Sequence, residues 1–287
     1  MILSPMRKTI EILAWISGVI GKPPGWERIV RLIAPTERCG DIGDICLMRD
    51  GVMFMAQPSV ALGWNVALFG TYEPYLRDII RAVLPAGGVA LDIGANVGWH
   101  TLLMARSAGA SGRILAAEAN PSVRERLDGN LKLNRFRQVE VIPYAVAARE
   151  GSAEFWGPAA DAAGSGDGHM VPDGTPGLKG VIRVETRSVD SICERALVER
   201  VDLIKIDVEG YEWPVLQGAE TTIAKFRPHI VFEYNAEYAA RGGGDVKLLA
   251  AFFEKHRYRL SAIGRNWAEA VRPGRWPSCA DIWAVPD

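Results

Sequence analysis

Cysteine and histidine are scarce in this chain, four of each in 287 residues. Cys39, Cys46, Cys193 and Cys279 lie far apart, with no C-x-x-C pair and no histidine cluster beside them. This argues against a zinc ribbon or a disulfide framework, and the cysteines read as reduced, mostly buried thiols of a cytoplasmic protein. An excess of charge is missing too. Lysine and arginine number 33 against 34 acidic residues, a net charge of −1, so nothing pulls the chain toward nucleic acid. No apolar run reaches the roughly 20 residues of a membrane-spanning helix. The stretch Ile10 to Ile20 follows Arg7-Lys8, as the core of a signal peptide would. It carries Glu11 and no clear small-residue cleavage site, so an amphipathic helix packed on the domain is expected.

Two nucleotide-binding signatures are also absent. There is no G-x-x-x-x-G-K-[ST], and no G-x-G-x-x-G that would clear room for a pyrophosphate. What stands in their place is Leu91-Asp92-Ile93-Gly94-Ala95-Asn96-Val97-Gly98, a short apolar run that turns through two glycines into a helical pattern. Such a turn brings backbone close to a ligand and aims helix N–H groups at it. About twenty residues on, a second apolar run (Ile114 to Ala117) ends in Glu118-Ala119-Asn120, with an acidic side chain where a ribose is held by its hydroxyls. The D-x-G-x-x-x-G spacing suits an adenosine cofactor without a pyrophosphate, S-adenosylmethionine. On this reading Asp92, Gly94, Asn96, Gly98, Glu118, Ala119, Asn120 and Asp207 form its site, with Asp92 facing the ammonium and the loop amides facing the carboxylate. A dinucleotide oxidoreductase is the alternative that the same strand–turn–helix leaves open.

From Val89 onward, strand-like runs (89–93, 113–117, 139–142, 202–206, 229–233, 258–263) alternate with helical ones (97–107, 121–133, 189–196, 214–224, 245–256). Alternation of this kind means a doubly wound α/β fold, a mostly parallel sheet covered on both faces. No helix fits between 258–263 and the last run, 279–285, so a C-terminal antiparallel hairpin closes a seven-stranded sheet. Residues 1–85 form an N-terminal extension, with a hairpin at Asp50-Gly51 and a helix over 72–84, and 86–287 form the main domain. The Gly-rich loop at 157–180 interrupts the alternation, as either a lid or a plain connector.

A second acidic stretch, Ile206-Asp207-Val208-Glu209-Gly210-Tyr211-Glu212, follows the fourth core strand. Together with the glycine loop, Glu118-Ala119-Asn120-Pro121, and Glu233 after Pro228-His229-Ile230-Val231-Phe232, it resembles the FkbM family of methyltransferases over roughly 72–285. The resemblance implies a class I, Rossmann-like methyltransferase fold, S-adenosylmethionine as cofactor, and methylation of a hydroxyl on a sugar, glycolipid or secondary metabolite. A small-molecule or glycan acceptor is therefore expected.

An alcohol is too weak an acid to ionise at neutral pH, so a base must act as its proton leaves. Asp207 and Glu209 are the candidates by position, with His100 as a third catalytic candidate. Glu212 serves equally well as a helix-terminus charge. No resident metal is assigned. A Mg²⁺ site on Asp207, Glu233 and Asn235 is the less favoured route. His169 sits in the Gly-rich loop, and His229 and His256 read as structural. Trp267 and Trp276, beside Arg265 and Arg275, could stack a sugar ring. A non-catalytic cofactor-binding protein of the same fold remains a competing reading, and a homo-oligomer is compatible with the sequence.

Overall fold

The computed structural model describes residues 5–20, 23, 25–36, 45–157, 168–171, 179–263, 269–271 and 276–287. Cys39, Trp267, Arg265, Arg275 and most of the Gly-rich loop lie outside the described residues. The N-terminal region holds α1 (Pro5–Ile20), α2 (Trp26–Ile33), β1 (Ile45–Arg49), β2 (Val52–Ala56), α3 (Ala61–Phe69) and α4 (Pro74–Val83). β1 and β2 pair antiparallel through Asp50-Gly51, both at positive φ (49° and 80°), the conformation that matches strand twist in a two-residue turn. α3 is apolar along its length and buried at Trp64, Val66, Ala67 and Leu68. The Trp64 indole donates to the Ala34 carbonyl at 2.7 Å, which satisfies its one polar atom in the core.

The main sheet is built from β3 (Val89–Ile93), β4 (Arg113–Ala117) and β5 (Val139–Ile142), with α5 (Trp99–Ala108) and α6 (Pro121–Asn134) between them. A smaller sheet follows: β6 (Ala145–Val146), β7 (Gly151–Trp156), β8 (His169–Val171) and β9 (Val181–Arg187), in the order β6-β9-β7-β8. The chain then returns through α7 (Val189–Arg195), β10 (Leu203–Ile206), α8 (Glu212–Gln217), α9 (Glu220–Phe226), β11 (His229–Asn235), α10 (Val246–Lys255), β12 (Tyr258–Ile263), β13 (Glu269–Ala270) and β14 (Cys279–Pro286). The order across the main sheet is β13-β12-β14-β11-β10-β3-β4-β5. β5, β4, β3, β10 and β11 are mutually parallel, and β14 runs antiparallel between β11 and β12. The C-terminal hairpin is therefore present, but the sheet has eight strands and not seven, because the two-residue β13 adds to the β12 edge.

Side chains alternate across a strand, so each face of the sheet buries its own set. Ala90, Ile114, Leu203 and Val231 face α5 and the N-terminal region. Leu91, Ile93, Leu115, Ile204, Ile206 and Phe232 face the helices that follow β9. Two asparagines of α6 tie the N-terminal hairpin to this core. Asn134 accepts from the Met53 amide and donates to its carbonyl, each at 2.7 Å, and Asn130 accepts from the Met55 amide at 2.8 Å. These bonds satisfy the inner edge of β2, which a third strand would otherwise take. Of the described cysteines only Cys193 is buried; Cys46 and Cys279 are exposed, correcting the expectation of buried thiols. No helix among the described residues is long and apolar enough to cross a membrane.

Candidate active site

Connections leave β3 and β10 in opposite directions across the sheet, which opens a crevice at their carboxyl ends. A cleft of about 620 Å³, counted to its open mouth, lies there. Its lining includes Ile93, Gly94, Asn96, Glu118, Ala119, Asn120 and Asp207, so six of the eight residues expected for the cofactor meet at one cavity. Asp92 and Gly98 are not part of that lining.

The loop after β3 shows why its glycines are where they are. Gly94 has φ +79°, and a Cβ there would sit 1.8 Å from the Asp207 carbonyl oxygen, so β10 leaves no space for a side chain. Gly98 has φ +92°, and a Cβ would meet Leu127 of α6 at 2.5 Å. The loop amides are already used. Gly94 and Ala95 donate to the Ala117 carbonyl, Asn96 to Glu118 Oε2 at 2.9 Å, Val97 to the Asn96 side chain at 2.8 Å, and Gly98 to the Ala95 carbonyl. The expectation that these N–H groups point at a ligand is therefore corrected. The loop offers shape instead.

Glu118 is buried, with Oε1 accepting from the Asn120 amide at 2.8 Å and Oε2 from Asn96. Burial raises its pKa, and the two amides oppose the rise. Each carboxylate oxygen keeps a second lone pair, so a diol can still be bound. Asn120 caps α6 by accepting from the Ser122 amide. Asp92 departs from the expected role. It is fully buried, accepts from Thr101 Oγ1 at 2.6 Å, and lies 3.5 Å from the Lys205 ammonium. Its charge is spent on holding Lys205, which also donates to the Gly94 carbonyl (3.1 Å) and pairs with Asp207 (3.1 Å). Burial alone would lower the Lys205 pKa, but Asp207, Asp92 and Glu73 outweigh it and hold the ammonium charged. The roof of the cavity comes from the small sheet, through Phe155, Gly168, His169 and Met170. His169, left as a loop residue by the sequence, thus lies at the site, tilted against the Trp156 ring at 5.5 Å.

The other side of the crevice is acidic. One carboxylate oxygen each from Asp207, Glu209 and Glu233 lies within 4.8 Å of the others, a grouping that could hold a metal ion. The expected third ligand, Asn235, instead accepts from the Glu237 amide at 3.0 Å, and Glu209 takes its place in the group. Glu209 itself sits at φ +54°. Burial, with Asp207 and Glu209 beside it, pushes the Glu233 carboxyl up to about 9. Glu212 turns inward and accepts from the Val208 and Gly210 amides, so it shapes the loop that carries Glu209; burial pushes its carboxyl up to about 7.

Two residues beyond the expected set join this side. Glu73, at φ +47° before α4, is pushed up to about 8 by burial and by Asp281 and Asp207. Asp281 of β14, pushed up to about 6 by burial and held back by a 2.8 Å bond from the Tyr75 hydroxyl, completes the group. His100 stands behind them. It is 5% exposed, its Nε2 lies 3.4 Å from Glu73 Oε2 without a hydrogen bond, and burial lowers its pKa well below the usual value. It is neutral at physiological pH and is not part of the cavity lining. His229 and His256 pack on Trp283 and Phe252, as structural residues do, and Trp276 packs on Tyr234.

The model of the methyltransferase FkbM domain matches residues 92–260, more than half of the chain. The chain belongs to the FkbM methyltransferase family. Its FkbM domain carries the glycine loop, Glu118, Asp207, Glu209 and Glu233, while Glu73 and Asp281 flank the matched residues on either side. Among its relatives is the 2-O-methyltransferase NoeI of Sinorhizobium fredii, 31% identical over 180 residues, 58% of this chain and 71% of that protein. The hexuronic acid methyltransferase AglP of Haloferax volcanii is 29% identical over 147 residues, 50% of this chain and 55% of AglP. The AMB antimetabolite synthetase AmbE of Pseudomonas aeruginosa is 32% identical over 250 residues, 73% of this chain but only 12% of AmbE. Of solved structures, the FkbM methyltransferase of Methylobacillus flagellatus is similar at 16% identity, covering 77% of this chain and 52% of that one, with a TM-score of 0.45.

Proposed function

We propose that this protein is an S-adenosylmethionine-dependent O-methyltransferase whose acceptor is a hydroxyl of a sugar, glycolipid or related secondary metabolite. The observation that carries the reading is the cavity itself, where Gly94, Asn96, Glu118 and Asp207 of an FkbM domain line one crevice at the switch point of the sheet. The residues fit the cofactor. Gly94 lets the loop pack against the Asp207 backbone at the cavity edge, Glu118 keeps lone pairs for ribose hydroxyls, and Phe155, Tyr144 and Val146 offer an apolar seat for a base. When bound, the cofactor supplies an electrophilic methyl group on a sulfonium. Two named relatives, a 2-O-methyltransferase and a hexuronic acid methyltransferase, support an oxygen acceptor on a carbohydrate.

The residues divide the work. Gly94, Glu118 and the roof hold and orient the cofactor, while the acidic side holds the acceptor and takes its proton. Holding the acceptor in line at about 3 Å can supply several kcal/mol of the barrier. Asp207, paired to Lys205 at the lining, and Glu209 receive hydrogen bonds from the acceptor hydroxyl and take the proton as the new C–O bond forms. Glu233 and Glu73, whose proton affinity burial and neighbouring carboxylates raise, stand ready to exchange a proton with the acceptor side. Residues 1–85 act as an extension that brings Glu73 to the acceptor, and 86–287 as the methyltransferase domain. Mg²⁺ on Asp207, Glu209 and Glu233 is the second reading, favoured by their spacing.

Thermal unfolding with S-adenosylhomocysteine, NAD and NADP tests the cofactor, since a bound ligand raises the midpoint in proportion to ln(1 + [L]/Kd). Stabilisation by S-adenosylhomocysteine alone is expected; stabilisation by a dinucleotide alone overturns the reading. Mass spectrometry for a one-methyl gain across a glycan and metabolite panel, with and without EDTA, then tests acceptor and metal.

A further inference from the structure

Exposed apolar side chains are not spread evenly over this molecule. Among the described residues eleven large hydrophobic side chains are exposed, and seven of them lie between residues 12 and 48. Ile12, Trp15 and Ile20 stand on α1, and Ile29, Leu32 and Ile33 on α2, with Trp15 70% and Leu32 81% exposed. The opposite side of α1 is apolar as well, with Ile10 and Leu13 buried. A helix that is apolar on both sides requires a second apolar neighbour, whereas scattered exposed leucines, such as Leu133 and Leu197, need no explanation. α1 and α2 are joined by the Trp26 indole bonded to Ser17 Oγ at 2.9 Å, so they form one surface element.

The charge around this face selects the partner. Residues 1–36 carry Arg7, Lys8, Lys22, Arg28 and Arg31 against Glu11 and Glu27, a net charge of +3 in a chain whose total is −1. Both glutamates are paired within their own helices, to Arg7 at 3.5 Å and to Arg31 at 3.2 Å. Among the described residues Lys8 and Arg28 are exposed and have no carboxylate partner. Basic side chains interleaved with Trp, Ile and Leu match an anionic lipid headgroup layer above an acyl boundary. The 16 residues of α1 extend about 24 Å, short of the roughly 30 Å hydrocarbon core, so the helix fits along a bilayer surface and not across it. The element lies outside the residues matched by the family model, so this surface is a property of the extension.

We propose that the exposed face of α1 and α2 docks the protein on an anionic lipid surface, with Trp15 and Leu32 in the acyl boundary and Lys8 and Arg28 among the headgroups. The inference is independent of the chemistry at the crevice. Co-sedimentation of the full chain with phosphatidylglycerol–phosphatidylcholine vesicles, and with phosphatidylcholine vesicles alone, tests it. Binding to the first and weak binding to the second are expected, with a loss at raised salt. The double substitution Trp15→Glu, Leu32→Glu is expected to lower vesicle affinity at least about tenfold. Because both positions are exposed, its thermal midpoint and S-adenosylhomocysteine affinity are expected to stay those of the parent. Absence of binding to the anionic vesicles, or equal binding by the double variant, overturns the proposal. So does sedimentation velocity that shows a dimer split by Leu32→Glu with no vesicle binding, since the face then covers a second copy of the chain.

Discussion

The two sides of the crevice are built by different means. On the β3–β4 side, backbone sets the geometry. The carboxylate of Glu118 is bound by two amides, the loop amides are consumed locally, and glycine stands where a Cβ would strike β10. On the β10–β11 side, side chains from distant parts of the chain meet. Glu73, Asp207 and Asp281 feel one buried cation, Lys205, and Glu209 and Glu233 cluster with Asp207. The first side is rigid and satisfied, as suits a cofactor that is the same in every turnover. The second carries repulsion that only protons, an acceptor or a cation can relieve, as suits a site where a proton must move.

Substitutions at the two sides should therefore fail differently. Gly94→Val should have the largest effect, with S-adenosylhomocysteine binding by calorimetry lost, because the new side chain meets the Asp207 carbonyl. Measurable binding by that variant would sink the role given to this turn. Next, Asp207→Asn and Glu209→Gln should each lower kcat by about 10²–10⁴ with cofactor affinity nearly unchanged. If turnover instead falls only on adding EDTA and returns with Mg²⁺, the trio acts through a metal. Glu118→Ala should do the reverse, weakening cofactor binding by about 1–3 kcal/mol while kcat at saturation changes little.

The smallest effect concerns stability. Glu73 and Glu233 bind protons more tightly folded than unfolded, with pKa values near 8 and 9 in place of the usual 4.5. The folded state thus holds more protons between pH 4.5 and 9, and stability must fall as pH rises through that window. Glu233→Gln removes part of that penalty and should raise stability at pH 8 by on the order of 1 kcal/mol, discounted because the side chain is partly exposed. A denaturant titration at pH 5 and pH 8 checks it; equal stabilisation at both would contradict the charge explanation.

The β3–β4 side of the crevice was legible in sequence for a physical reason. Strands 89–93, 113–117, 139–142 and 258–263 coincide with β3, β4, β5 and β12, because each is a short apolar or alternating run closed by Gly, Glu or Pro. The tight turn after β3 and the buried carboxylate after β4 are encoded locally by Gly94 and Glu118. The helix expected over 214–224 proved to be two, α8 and α9, parted at Gly218, where a Cβ would meet the Ala147 carbonyl at 2.3 Å. That contact is tertiary and leaves no local signal. α3 was missed because it is apolar on every side and so lacks a helical period. Glu73 and Asp281 were unreadable for the same reason, since nothing near either residue announces the other. Asp92 was misjudged because its position in the motif does not reveal that Lys205, facing it across the β3–β10 register, would claim its charge.

The Tyr75–Asp281 bond joins residues 206 positions apart. During synthesis the N-terminal partner leaves the ribosome long before the C-terminal one exists, and non-local closures form late. The lining from β3 and β4 is complete by Asn120, whereas the roof (Phe155, Met170) and Asp207 follow later and Asp281 of β14 comes last. A chain interrupted before β14 thus lacks Asp281 and the Tyr75 bond that fastens α4 to the acidic side of the crevice.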